Sequence, residues 1–271
     1  MFPLLEPIEN FSLPDEVVKV LRNRGIRYFT PPQAEALRRG VLKFKNILVT
    51  APTASGKTLI AELALVNAFL KEMKAIYATP LKTLASEKYE EFSLWRDIGI
   101  KVGISTGDFD EPGEWLGRYD VVVATYERLD SIFRLKPSWL KEVGVVIIDE
   151  FHTIGDPDRG PIVELLAVRA LREEKQLIGL SATVGNPGEL AEWLNAELVI
   201  SDWRPVRLIE GYYNRRKKKI LFEDGREEAV SGNLLDYVAT RALRENYQVL
   251  VFRQSRSRAE ETARKLSKLM P

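Results

Sequence analysis

The sequence predicts an α/β fold, a parallel sheet flanked by helices on both sides. Three observations lead there. Short apolar runs rich in β-branched residues alternate along the chain with longer segments of helical period. The run Ile47–Thr50 leads through Ala51-Pro-Thr-Ala-Ser-Gly-Lys-Thr58 straight into a segment of good helix formers, a strand, a tight loop and a helix in direct succession. The most apolar run, Val143–Ile148, is closed by Asp149-Glu150, as expected of a central parallel strand covered on both faces with polar chemistry at its carboxyl end.

Composition narrows the function classes. The 271 residues are 45% apolar, enough to bury a full core, and 29% charged, yet the formal net charge is only +1. Without a global basic field, any nucleic-acid contact has to be local. The lack of cysteine excludes disulfides and thiolate metal sites, and one histidine, His152, cannot build a zinc cluster by itself. No apolar run approaches the length of a membrane span. The opening Met-Phe-Pro, with Glu6 and Glu9 close behind, lacks the basic start and apolar core of a secretory signal, so the expected compartment is the cytoplasm.

Each element follows from local signals. Residues 1–10, interrupted by Pro3 and Pro7, read as an irregular lead-in. Pro14 suits the first turn of a helix with Val17, Val18 and Leu21 on its apolar stripe, and Gly25 ends it. A helix over about 34–39 follows Thr30-Pro-Pro-Gln33, and the loop helix covers 59–71. Next come a strand at 75–79, a helix over 81–95, a strand at 100–105 and a polar connection over 106–118. A β-branched run at 120–125 and a helix over 126–134 precede the central strand. A helix over 161–172, a strand at 177–180, a helix over 187–194 and a strand at Glu197–Ile200 complete the alternation. Ligands in such sheets sit at the carboxyl ends of the strands. The loop at 51–58, Thr79-Pro80, Thr125-Tyr126, Asp149-Glu150 and Ser181-Ala182-Thr183 all fall at such ends.

Composition breaks at Ser201-Asp-Trp-Arg-Pro205. Beyond it are a strand over 206–213, a dense basic run Arg215-Arg-Lys-Lys-Lys219, a helix over 234–243, a strand at 249–252 and a helix over 257–270. The basic run is either a solvated hairpin tip or linker, or a phosphate contact. One or two strands and two helices cannot close a buried sheet. The chain therefore divides into a domain over 1–200, and a linker with the start of a second, truncated α/β domain over 201–271.

The loop chemistry is specific. In the loop Pro52-Thr53-Ala54-Ser55-Gly56, the successive N–H groups of residues 53–56 and those of the helix start form a concave anion site. Gly56 lets the backbone close around a phosphate. Lys57 then reaches the β- and γ-phosphates, and Thr58 places its hydroxyl on a Mg²⁺. The first position is Ala51 where glycine is usual. Upstream, Gln33 either pairs with the N6/N7 edge of adenine or is a solvent-facing residue at a helix start. Across the sheet edge, Asp149 holds Mg²⁺, mostly through water, and Glu150 orients and deprotonates the attacking water. His152 is expected to hydrogen-bond Ser181 or Thr183 rather than titrate as a catalyst. Those small hydroxyl residues can bond the Asp-Glu turn and shift when phosphate leaves, though alone they are also a plain strand-end turn.

Together these segments resemble the ordered motifs of superfamily 2 helicases: Thr30-Pro-Pro-Gln33, Ala51–Thr58, Thr79-Pro-Leu-Lys-Thr-Leu84, Ser105-Thr-Gly-Asp108, Thr125-Tyr-Glu-Arg128, Asp149–His152 and Ser181-Ala-Thr183. The run Gly179–Trp193 and Ser201-Asp-Trp-Arg-Pro205 look like the Ski-type branch, nearest the archaeal Hjm-type DNA helicases. Val249–Arg256 resembles the fourth motif, at the start of a second RecA-like domain. The resemblance implies a RecA-like, P-loop NTPase motor domain that uses ATP and Mg²⁺ to move on single-stranded or forked DNA, with RNA as the alternative. In it Pro80, Leu81, Lys82, Gly107, Asp108, Thr125 and Arg128 line the strand path, each having ordinary helix capping as its other reading. The motifs after the fourth, including the arginines that reach the γ-phosphate, are not in these residues. The rest of the second RecA-like domain and the accessory domains are expected as partners of what reads as a fragment. A module that binds ATP and single strands without unwinding, or a scaffold stabilised by nucleotide, are the competing readings.

Overall fold

In a computed structural model, residues 5–107 and 111–269 are described, so Asp108 lies outside them. Contacts divide the chain into two units, Met1–Pro205 and Val206–Pro271. The first opens with an antiparallel pair, β1 (Glu6–Pro7) and β2 (Tyr28–Phe29), around helix α1 (Asp15–Asn23). Part of the expected irregular lead-in is thus strand. Helix α2 (Pro31–Arg39) starts at Pro31 rather than near residue 34. Proline is tolerated in a first turn, whose N–H groups have no intrahelical partner, and Thr30 and Gln33 close a capping box around it.

The alternation then runs β3 (Ile47–Thr50), α3 (Lys57–Leu70), β4 (Lys74–Thr79), α4 (Lys82–Phe92), β5 (Val102–Ser105), β6 (Val121–Thr125), α5 (Tyr126–Leu135), β7 (Val143–Ile148), α6 (Gly160–Arg172), β8 (Gln176–Ser181), α7 (Pro187–Trp193) and β9 (Glu197–Ile200). The helix expected over 81–95 is α4 followed by a separate 3-10 stretch, Ser93–Ile98, which Gly99 ends in the left-handed region. Strands β3 to β9 form one seven-stranded parallel sheet in the order β5-β6-β4-β7-β8-β3-β9. The doubly wound fold expected from the sequence is the fold found.

Alternate strand residues feed two cores, which explains why the runs are apolar throughout. Ile47, Val49, Tyr77, Val145 and Ile147 pack with α1 to α4 on one face. Leu48, Ile76, Ala78, Val146 and Ile148 pack with α5 to α7 on the other. The strand order also divides the carboxyl edge. The ends of β7, β8 and β3 are neighbours, and so are the ends of β4, β6 and β5.

The second unit holds an antiparallel meander, β10 (Gly211–Asn214), β11 (Lys219–Phe222) and β12 (Glu227–Ala229), with helices α8 (Leu234–Glu245) and α9 (Arg256–Ser267). Arg215–Lys218 form the turn between β10 and β11, with the Asn214 carboxamide oxygen accepting from the N–H groups of Arg216 and Lys217, so the basic run sits at a hairpin tip. The strand expected over 206–213 is found as Gly211–Asn214. The strand expected at 249–252 is not formed: Leu250 is 78% and Phe252 85% exposed. An apolar run becomes a strand only where a ladder partner exists, and none is present for it among the described residues. Among those residues no helix is long and apolar enough to cross a membrane.

Candidate functional site

The 51–58 loop joins the end of β3 to the start of α3, and its shape is set by neighbours far away in sequence. Ala54 and Gly56 both lie at positive φ, +65° and +87°. A side chain at Gly56 would meet Gln33 Nε2 at 2.3 Å, so only glycine allows this approach. Gln33 Nε2 donates to Gly56 O at 2.9 Å, and its Oε1 accepts from the Thr30 N–H at 2.8 Å. The Thr30 hydroxyl donates to Ser55 O at 2.9 Å. Gln33 is therefore a buried brace and not a solvent-facing residue. One N–H and one lone pair of its amide remain for a ligand.

Lys57 Nζ donates to the carbonyls of Ala51, at 2.6 Å, and Pro52, at 2.9 Å, inside the loop. Burial lowers its pKa, against the pull of Glu150 and Asp149. Ser55 Oγ is buried with no partner among the described residues. A buried orphan hydroxyl, a lysine on carbonyls it can exchange and a glycine-shaped cradle fit a phosphate chain.

Asp149, just past β7, is fixed from three sides. Its Oδ1 accepts from the Glu150 N–H at 2.9 Å and its Oδ2 from the Tyr77 hydroxyl at 2.5 Å. The Tyr126 hydroxyl donates to the Asp149 carbonyl. Burial, and then the Asp149 charge, push Tyr77 well above the usual phenol range, and burial pushes Tyr126 up too, so both stay protonated donors. Thr58 Oγ1 accepts from Lys88 Nζ at 3.3 Å. The oxygens of Thr58 and Asp149 are the kind of hard donors that Mg²⁺ takes, with water filling its other positions. Tyr77→Phe, which frees the carboxylate from its outer support, is expected to raise the Mg²⁺ concentration needed for nucleotide binding about 10–100-fold. A Mg²⁺ titration of nucleotide affinity checks this.

Glu150 follows in the left-handed region, φ +52°, strained backbone of the kind that concentrates at functional positions. It lies 3.4 Å from His152 Nδ1. That nitrogen also accepts the Ala182 N–H at 3.3 Å, so it cannot then donate to Glu150. The expected partners, Ser181 and Thr183, are not used. Ser181 Oγ is buried with no partner among the described residues and Thr183 is exposed; the backbone N–H between them lies on the imidazole instead.

The loop, Gln33, Asp149 and Glu150 line one cavity of about 710 Å³. Its wall includes a buried cluster that local sequence did not mark. Arg24 forks Nη1 and Nη2 onto the Glu62 carboxylate, and Trp95 Nε1 donates to the same carboxylate at 2.6 Å. Arg24 also lies 5.6 Å from the Trp95 ring centre. A larger groove, about 930 Å³, lies by Glu6, Arg38 and Asp202, away from this chemistry.

The other half of the carboxyl edge carries the residues expected on a strand path. Leu81 and Lys82 are exposed and Gly107 is half-buried, whereas Pro80 is buried. Thr125 takes the helix-capping alternative, and Arg128 is enclosed by its neighbours. Thr125 is buried and caps α5 by accepting the Arg128 N–H. Arg128 is fully buried, its Nε donating to Ser105 Oγ and its Nη1 to Glu111 O, both at 3.0 Å. Gly113 lies so close that a Cβ there would meet Arg128 Nη2 at 2.3 Å. Both residues are buried beneath the edge, bonded to their own neighbours.

Comparisons with known proteins give the family and the fold. The sequence profile of the family described as DEAD/DEAH box helicase matches residues 30–190. Curated relatives include the ATP-dependent DNA helicase Hel308 of Pyrococcus horikoshii, 48% identical over 96% of this chain and 36% of the relative. Hel308 of Caldivirga maquilingensis is 49% identical over 96% of this chain and 35% of the relative. The chain spans about a third of the length of these relatives. Among solved structures, the DUF1998 helicase MrfA bound to DNA and AMPPNP has a TM-score of 0.77 at 22% identity, covering 99% of this chain and 40% of that one. Another MrfA structure has a TM-score of 0.71 at 23% identity, over 95% of this chain and 41% of that one. At these identities the likeness speaks for the fold.

Proposed function

The chain belongs to the DEAD/DEAH box helicase family, and on that premise we propose that it is the ATP-binding motor portion of a DNA helicase that hydrolyses Mg²⁺-ATP to move on single-stranded DNA. The carrying observation is the cavity lined both by the 51–58 loop, at the end of β3, and by Asp149 and Glu150, at the end of β7, with β8 between the two strands. Lys57 and the loop amides take the phosphates, Thr58 and Asp149 take Mg²⁺, and Gln33 offers its remaining N–H and lone pair to adenine. Bound Mg²⁺ neutralises phosphate charge. Glu150 takes the proton of the attacking water. His152, with Ser181 and Thr183 beside it, carries the change at the phosphate to β8. DNA is favoured over RNA by the names of the Hel308 relatives. The strand path runs over the exposed residues Leu81 and Lys82 and past Gly107, through phosphate contacts that do not read sequence. Residues 201–271 are the linker and the start of a second RecA-like domain, which Val249–Arg256 would enter on pairing with further strands.

ATP turnover and strand displacement test this reading. The 271-residue polypeptide is expected to bind ATP, hydrolyse it slowly and leave a tailed duplex intact. An arginine at the γ-phosphate is worth about 10³–10⁵ in rate in other NTPases, and the family resemblance assigns that arginine to motifs outside these residues. Strand displacement by a demonstrated monomer of this polypeptide would overturn the two-domain account. Absence of any ATP binding would overturn the assignment of the loop.

A further inference from the structure

We propose that helix α4 links the nucleotide loop to the DNA-facing edge, and that Lys88 is the positioning residue through which it does so. This rests on the functional reading above, with Mg²⁺-ATP on the 51–58 loop and a strand passing residues 80–82. Helix α4 contacts Thr58 directly and is linked to Asp149 through Tyr77. At its middle, Lys88 Nζ donates to Thr58 Oγ1 at 3.3 Å, and it pairs with Glu91 at 2.8 Å and Glu87 at 3.2 Å. At its end, the Phe92 ring packs edge-on against Tyr77, centroids 4.9 Å apart, and the Tyr77 hydroxyl holds Asp149. At its start are Leu81 and Lys82, both exposed. A helix rises about 1.5 Å per residue, so Lys82 and Lys88 lie roughly 9 Å apart along one stiff element.

Lys88 is only 8% exposed. Its ammonium is held between the carboxylates of Glu91 and Glu87. Its contact with Thr58 is the expendable one, because the charge is held by the carboxylates and the hydroxyl bond is long. A divalent cation on Thr58 Oγ1 repels an ammonium that donates to the same oxygen. Filling the loop therefore releases Lys88 from Thr58 onto Glu91 and Glu87 and alters how α4 bears on the loop. DNA held at the start of α4 acts on the same helix from its other end. By linkage, each ligand must then change the other's affinity by the same factor.

The test measures binding of a fluorescent ADP analogue with Mg²⁺ and of a labelled oligothymidylate, each alone and each with the other saturating. It is run on the full 271-residue chain, on Lys88→Met and on Lys88→Arg. The readout is the ratio of affinities, which a change in either single affinity leaves untouched. A ratio of about 5–150-fold is expected in the parent, near one in Lys88→Met, and restored in Lys88→Arg. If Lys88→Met does not fold, Lys88→Gln decides in the same way. A parent ratio of one, or the parent ratio persisting without the lysine, overturns the proposal. Failure of either ligand to bind alone shows instead that the functional reading has failed, and the proposal fails with it.

Discussion

Glu150→Gln is expected to slow ATP turnover about 10²–10⁴-fold while ATP still binds. Glutamine keeps the size of the side chain but cannot take a proton from water. The phosphate contacts come from a different strand end, through Lys57 and the loop amides, so they survive the change. Glu150 occupies a left-handed backbone position at the mouth of the cavity, with its carboxylate 40% exposed and open to water. The Asp149 carboxylate, by contrast, is already tied to Tyr77 and to the Glu150 N–H, which suits a group that holds a cation rather than one that moves a proton. Single-turnover hydrolysis beside equilibrium ATP binding separates the two roles. Parent-rate hydrolysis in the variant would remove Glu150 as the base.

Arg24→Ala is expected to cost about 3–5 kcal/mol of stability at neutral pH, the range for breaking a buried ion pair from one side. Glu62 is 1% exposed and would keep only the Trp95 N–H. Burial already raises the Glu62 pKa, outweighing the attraction of Arg24. Without Arg24 that pKa rises further. A carboxyl whose folded pKa lies above its unfolded value binds more protons in the folded state, so its contribution is favourable at low pH and is lost as pH rises through the folded pKa. The penalty for Arg24→Ala should therefore shrink towards acid. Denaturant unfolding of parent and variant at pH 5 and pH 8 measures it, and an equal difference at both values would contradict the role given to Glu62.

The fold was legible because its signals are local and mutually consistent. The apolar β7 run, the loop into α3 and the alternation of strand and helix each show within a dozen residues. What stayed hidden depends on contacts between distant segments. Nothing around Arg128 announces that Ser105 and the loop at 111–113 enclose it, so a cation beside a strand end looked available to phosphate. Lys88 looks like one more charge on an exposed helix until Thr58 is brought against it. Tyr77 looks like strand filler until the β4–β7 pairing places its hydroxyl at Asp149. The amide chemistry of Gln33 is visible in the sequence, but its bond to Gly56 belongs to the tertiary structure. The run at 249–252 fails in the opposite sense, since its local pattern is that of a strand and it has no partner strand among the described residues.

The most direct measurement is a calorimetric titration of Mg²⁺-ATP into the parent chain and into Lys57→Ala. Lys57 is the one ammonium set within the loop itself, on the carbonyls of Ala51 and Pro52. Losing a hydrogen bond to a charged group costs about 1.5–3 kcal/mol. That loss corresponds to roughly 10–150-fold weaker binding. The account predicts a saturable isotherm for the parent and a loss of that size in the variant. Equal affinity in the two proteins would contradict it.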